Sequence, residues 1–221
     1  HLLTTKDLIH YESETAIGIL GGTGCIIKVE GLYHLYYCVF EDQPQRQYVC
    51  HATSTDLTNW TKYPDETFGP DESIYLLTDW RDPHVIWNEE EKCWWMILCA
   101  QNQGNTKRRG CVGLCKSADL HHWTCCEPLY APQSSMSAYE CPDLFYMNGW
   151  WYLVFSQFTD RFQTLYRMSR SCNGPWIRPK TDSFDGRAFY AAKTCSDGEH
   201  RYIFGWNPTR TQNTWNFDPD P

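Results

Sequence analysis

Lys116-Ser117-Ala118-Asp119-Leu120-His121-His122-Trp123 matches two other stretches of the chain, Thr4-Thr5-Lys6-Asp7-Leu8-Ile9-His10-Tyr11 and Thr53-Ser54-Thr55-Asp56-Leu57-Thr58-Asn59-Trp60. The shared pattern is small or polar residues, Asp-Leu, two residues, then an aromatic. A degenerate copy, Ser169 to Trp176, replaces Asp-Leu by Cys172-Asn173 and closes on Gly174-Pro175-Trp176. The closing aromatics Tyr11, Trp60, Trp123 and Trp176 stand 49, 63 and 53 residues apart, so one supersecondary unit recurs along the chain. Between the copies an apolar strand meets a polar turn and then an aromatic strand. The four instances are Cys25-Ile26-Ile27 to Tyr33–Tyr37, Val85-Ile86-Trp87 to Trp94–Ile97, Leu144-Phe145-Tyr146 to Trp150–Val154, and Ala191-Ala192-Lys193 to Tyr202–Phe204. Their turns hold Glu30-Gly31, Asn88 to Glu91, Asn148-Gly149 and Ser196-Asp197-Gly198, which is hairpin chemistry. Helical periodicity is nowhere sustained.

A hairpin plus two further strands in about 50 to 60 residues is the size of one four-stranded propeller blade. The expected fold class is therefore all-β, a five-bladed β-propeller occupying residues 1–221, with the Asp-Leu-x-x-aromatic segments as outer strands. The phase of the repeat opens the chain on the closing strand of one blade and ends it on the second strand of another. The first blade is thus expected to be largely missing and the last incomplete. A β-sandwich tolerates the same short strands, but the long repeat spacing favours the propeller.

Of the 221 residues 42% are hydrophobic, 21% charged and 16% aromatic, a core-forming composition. The longest apolar run, Cys93 to Ala100, is far short of the ~18 residues that a membrane-spanning helix needs, so no membrane partner is expected. The net charge is −8, with one short basic run at Lys107, Arg108 and Arg109; this is no footprint for a phosphate backbone, and nucleic acid is excluded as a partner. The chain begins with His1 rather than Met and is read as a piece of a longer one. Twelve cysteines are too sparse for a disulfide scaffold in a domain of this length. Cys38, Cys50, Cys99 and Cys111 lie in apolar stretches where free Cys serves as a small hydrophobe, so reduced thiols and a cytoplasmic location are expected, with secretion as the alternative. Cys111-x3-Cys115 followed by His121, His122, Cys125 and Cys126 lacks the paired knuckles of structural zinc, and no metal is assigned.

Two carboxylates precede first strands of blades, where inner strands converge on the axis: Asp82 in Asp79-Trp80-Arg81-Asp82-Pro83 and Glu140 in Tyr139-Glu140-Cys141-Pro142-Asp143-Leu144-Phe145. A Pro within two residues fixes the backbone there. On spacing alone they either cap turns or form the carboxylate pair that glycoside hydrolysis requires. Trp80, Tyr139 and Trp206 are expected as flat surfaces on which sugar rings stack.

On these motifs the whole chain resembles glycoside hydrolase family 32, the invertases and fructan hydrolases. Arg81-Asp82-Pro83 is similar to the family's Arg-Asp-Pro signature and Glu140-Cys141-Pro142-Asp143-Leu144-Phe145 to its Glu-Cys signature. Softer matches lie in order around them: His1 to Tyr11, Gly22-Thr23-Gly24-Cys25, Asp185-Gly186-Arg187 with Phe189-Tyr190-Ala191-Ala192, and Gly205-Trp206. The resemblance implies a retaining hydrolase of β-fructofuranosyl linkages in sucrose or in inulin- or levan-type fructans. Glu140 would be the general acid/base and Asp82 the transition-state stabiliser, oriented by Arg81; Thr23, Tyr190 and Trp206 would line the substrate pocket. Two carboxylates and water suffice for such a mechanism, so no cofactor is expected.

The resemblance also implies a nucleophilic Asp in a Trp-x-Asn-Asp-Pro-Asn-Gly-like segment, and the 221 residues contain none; the 221-residue chain alone is expected to be inactive. Trp215-Asn216-Phe217-Asp218-Pro219 is similar in letters but follows the last hairpin instead of opening the first blade, which disfavours Asp218. Two alternatives remain: a carbohydrate-binding propeller without catalysis, and a related five-bladed furanosidase acting on arabinosides.

Overall fold

The computed structural model describes residues 1–104, 107–134, 138–158, 162–184 and 189–206, and among these the chain forms strands and one short 3-10 turn (Pro64–Glu66), with no α-helix. Among the described residues no helix is long and apolar enough to cross a membrane. Among the described residues five antiparallel sheets follow one another in sequence order. The first pairs β1 (Leu2–Thr5) with β2 (Tyr11–Thr15). The second is β3 (Gly24–Val29), β4 (Leu32–Asp42), β5 (Gln45–Ser54) and β6 (Thr61–Lys62), and the third β7 (Tyr75–Asn88), β8 (Cys93–Asn102), β9 (Gly110–Ser117) and β10 (Thr124–Tyr130). The fourth holds β11 (Glu140–Met147), β12 (Trp150–Gln157) and β13 (Gln163–Ser169), and the fifth β14 (Tyr190–Ser196) with β15 (Arg201–Trp206). In both four-stranded sheets spatial order equals sequence order.

All four expected hairpins form. Val29 pairs with Leu32 across Glu30 and Gly31, whose φ values are 49° and 89°, and Met147 pairs with Trp150 across Asn148 and Gly149 at 52° and 81°. Two successive left-handed residues make the turn whose twist matches the strands, which Asn-Gly and Glu-Gly supply.

The Asp-Leu-x-x-aromatic segments are not outer strands. They are the turns that lead into them, β5 to β6, β9 to β10 and β1 to β2. In each copy the Leu N–H donates to a Ser or Thr hydroxyl three residues earlier, at 2.9 Å from Leu8, Leu57 and Leu120 to Thr5, Ser54 and Ser117. The Asp carboxylate accepts the two N–H groups that follow, as Asp119 does from His121 and His122 at 2.9 and 2.8 Å. Leu stands at φ 64°, 65° and 69°, so the backbone reverses sharply and strand geometry is excluded. In the degenerate copy after β13 only isolated bridges, Met168 to Ile177 and Leu165 to Ser183, occupy the place of a fourth strand.

The run Cys93 to Ala100 is apolar throughout because β8 is buried on both faces. Met96, Leu98 and Ala100 join Tyr36 and Val49 of the second sheet in one cluster, while Trp95 and Ile97 join Leu144, Leu153 and Phe155 of the fourth sheet in another. Consecutive sheets therefore pack face to face through a two-residue alternation. All twelve thiols are free; Cys38, Cys99 and Cys111 are buried, and Cys111 belongs to the first of these clusters.

Candidate active site

The first strands of the third, fourth and fifth sheets share one irregularity. Arg81 faces Cys99 and His84 faces Ile97; Glu140 faces Ser156 and Asp143 faces Val154; Tyr190 faces Trp206 and Lys193 faces Phe204. Each first strand thus inserts one extra residue, a β-bulge. The residue after the paired one is left-handed in all three: Asp82 at φ 59°, Cys141 at 48° and Ala191 at 54°. These are not glycines, and such backbone outliers concentrate at functional sites. The bulges aim Arg81, Glu140 and Tyr190 at one place.

That place is a cavity of about 330 Å³ lined by Thr23, Phe40, Gln47, Arg81, Asp82, Glu140, Cys141, Tyr190, Ala191 and Trp206. The six residues to which the family resemblance assigns roles, Thr23, Arg81, Asp82, Glu140, Tyr190 and Trp206, line it together. The Arg81 guanidinium lies between the two carboxylates, with Nη2 donating to Glu140 Oε1 at 2.6 Å and Nε 3.9 Å from Asp82 Oδ2. Its Nη1 donates to Asp79 Oδ1 at 2.6 Å. Burial opposes the Arg81 charge, but its bond to Asp79, the charge of Asp82 and its bond to Glu140 overcome burial and raise its pKa. The guanidinium is a permanent cation. Glu140 is gripped on its other oxygen by the Tyr190 hydroxyl. Burial, followed by the adjacent Glu140 charge, raises the Tyr190 pKa, so the phenol keeps its proton and donates it. Asp82 is only 3% exposed and accepts the Cys141 N–H at 2.9 Å, so the left-handed residue of one strand caps that of the next.

Two expected stacking surfaces are elsewhere. Trp80 and Tyr139 are 0% and 1% exposed and belong to the inter-sheet cores. Strand alternation requires this, since Arg81 and Glu140 next to them face the cavity. Beside the buried Tyr190, the aromatic side chains that do face it are Trp206 and Phe40, 38% and 52% exposed. Sequence reasoning missed Phe40, Gln47 and Asp79. Gln47 accepts the Trp80 N–H at 2.9 Å and lies 3.4 Å from Arg81 Nη1; it comes from a third strand of another sheet and carries no local motif. Asp218 and Asp185-Gly186-Arg187 lie outside the described residues.

The N-terminal domain model of the glycosyl hydrolases family 32 matches residues 2–217. The chain belongs to this family. Among curated family 32 relatives, the sucrose-6-phosphate hydrolase of Escherichia coli is 28% identical over 239 residues, covering 92% of this chain and 47% of that protein. The levanbiose-producing levanase of Geobacillus stearothermophilus is 28% identical over 160 residues, covering 70% and 34%. The chain thus spans less than half the length of these relatives. Among solved structures, the sucrose-6-phosphate hydrolase of Lactobacillus gasseri superposes with a TM-score of 0.74 at 20% identity over 93% of this chain and 46% of that one. The GH32 beta-fructofuranosidase of Bombyx mori superposes at 0.66 and 24% identity over 85% and 43%. The shared fold of these family 32 proteins is the β-propeller.

Proposed function

We propose that the full-length protein is a retaining hydrolase of β-fructofuranosyl linkages, acting on sucrose or on inulin- or levan-type fructans. The observation that carries this reading is the single guanidinium held between Asp82 and Glu140, from two motifs almost sixty residues apart, in a chain of family 32. A family relative solved in complex with sucrose shares the fold. Glu140, at the accessible edge of the cavity with a side chain 23% exposed, donates its proton to the leaving-group oxygen and later takes one from water. Asp82, fixed by the Cys141 N–H, accepts hydrogen bonds from sugar hydroxyls that strengthen as positive charge grows on the ring. Arg81 orients both groups, Tyr190 holds Glu140 in one rotamer, and Thr23 and Trp206 border the sugar. The nucleophilic carboxylate comes from a segment outside these 221 residues, and the covalent fructosyl intermediate forms there. No cofactor or metal takes part in these steps.

The described residues then form most of a five-bladed ring, in which β1-β2 are the closing strands of a largely missing first blade and β14-β15 the opening hairpin of an incomplete fifth. The twelve free thiols favour a reducing compartment. The test is hydrolysis of sucrose, inulin and levan by the full-length protein. Activity should disappear when the upstream Asp is changed to Asn, and Glu140→Gln should remove turnover of substrates with poor leaving groups while leaving binding intact. A full-length chain without that acid that binds fructans and turns none over is a binding module, and a preference for arabinofuranosides overturns the substrate assignment.

A further inference from the structure

Away from the cavity, three histidines surround one carboxylate at the contact between the second and third sheets. Glu66, on the 3-10 turn, accepts from His51 Nδ1 at 2.6 Å through Oε2 and from His121 Nδ1 at 2.8 Å through Oε1. The far nitrogen of His51 lies 3.0 Å from His34 Nδ1. Tyr36 and Tyr63 stack on the His51 ring with centroids 4.6 and 5.1 Å away. The ligand atoms of His51, Glu66 and His121 all lie within 4.8 Å of one another, and among the described residues this is the group of three or more metal-ligating side chains that converge. From the Cys111 to Cys126 run only His121 takes part.

We propose that His51, Glu66 and His121 bind a divalent transition-metal ion of the zinc class, which fastens β5 and the 3-10 turn to the loop between β9 and β10. Two imidazoles and a carboxylate, with a solvent molecule completing a tetrahedron, are a zinc ligand set with bonds of about 2.0–2.2 Å. Nitrogen and carboxylate donors without thiolate select such an ion over magnesium or calcium. His51 is 3% exposed and held by two tyrosines, whereas the His121 side chain is 36% exposed, so His121 closes on the ion and leaves the entry path. When His51 Nδ1 takes the ion, its proton resides on Nε2 and is donated to His34 Nδ1, the outer hydrogen bond that orients a metal-binding histidine. Gln47, which lines the catalytic cavity, is four residues from His51 on β5, about 13 Å along the strand. The ion is therefore structural and does not touch the sugar.

The test is titration of chelator-treated, dialysed full-length protein with Co(II) and then Zn(II), read by visible absorption and thermal melting. One equivalent of Co(II) should give tetrahedral d–d bands with no thiolate charge-transfer band, Zn(II) should displace it, and the melting temperature should climb with Zn(II) concentration. His121→Ala and Glu66→Gln should each weaken binding by about tenfold or more. His122→Ala, an exposed neighbour bonded to Asp119, should bind as the parent does. No saturable uptake, a thiolate charge-transfer band, or undiminished affinity in both ligand variants overturns the site.

Discussion

Asp82 carries two separable demands, a left-handed backbone and a buried acceptor, and a series of substitutions at this position divides them. Its side chain is buried, accepts the Cys141 N–H at 2.9 Å and lies 3.9 Å from Arg81 Nε. Asp82→Asn keeps an acceptor for Cys141 and tolerates φ 59°, so it exchanges a charge-assisted hydrogen bond for a neutral one, at a cost of about 1 kcal/mol. Asp82→Gly leaves the buried Cys141 N–H without its partner, which costs about 1–3 kcal/mol, but fits the left-handed region. Asp82→Ala makes the same loss of about 1–3 kcal/mol and keeps a Cβ in that region, where the parent Asp already has one, whereas Gly is relieved of that strain at the cost of a more flexible unfolded chain. The expected order of stability is Asp, Asn, Gly, Ala, with Gly above Ala by about 1 kcal/mol. Urea unfolding of the full-length variants at unchanged m-value measures it. Equal stability of Gly and Ala would show that the bulge is not left-handed in solution, and an Asn variant as weak as Gly would show that Asp82 does not cap Cys141. Turnover should follow a different order: Asp82→Asn, the mildest change in stability, should still lose most of kcat, because the charge it removes acts at the transition state.

Tyr190→Phe removes one of the two donors on Glu140; a hydrogen bond to a charged group is worth about 1.5–3 kcal/mol, so kcat/KM should fall roughly ten- to hundredfold, and an unchanged value would free Tyr190 from any positioning role. The backbone N–H of His122, then its side chain and the N–H of His121, hold the Asp119 carboxyl below the usual carboxylate range. A carboxylate with a depressed folded-state pKa stabilises above its unfolded value of about 3.9 and loses that contribution as the pH falls through the lowered folded value. Asp119→Asn should therefore melt below wild type at pH 7, by a small margin because the side chain is half exposed, and the gap should close toward strongly acidic pH in thermal melts; a gap that persists there would refute the charge-based account. Gly24→Ala should destabilise by about 1–3 kcal/mol in urea titrations, because an added Cβ would stand 2.0 Å from the Tyr36 carbonyl oxygen and 3.0 Å from Tyr37 Cα, backbone atoms held in the β3-β4 ladder; a neutral result would mean that β3 does not pair closely with β4.

Features that depend on a few neighbouring residues were legible in the sequence. Glu30-Gly31 and Asn148-Gly149 announce their hairpins because the required φ values belong to those residue types, and the run Cys93 to Ala100 announces a buried strand because no exposed face interrupts it. The Asp-Leu repeat marked the period of the fold correctly, but its conformation was misread: Asp and Ser or Thr side chains bind the local backbone and bend it, so a strand-like string of letters became a turn. Arg81, Asp82 and Glu140 were found by motif, and the proposed function rests on them. What the tertiary structure decided is which way side chains face and which distant ones meet. One inserted residue in each of three first strands shifts the alternation, and with it Arg81, Glu140 and Tyr190 turn to the cavity while Trp80 and Tyr139 turn to the core. Gln47 at the cavity, and the meeting of His51 and Glu66 with His121 across two sheets, have no local signal at all, because those contacts are set by how one sheet packs against the next.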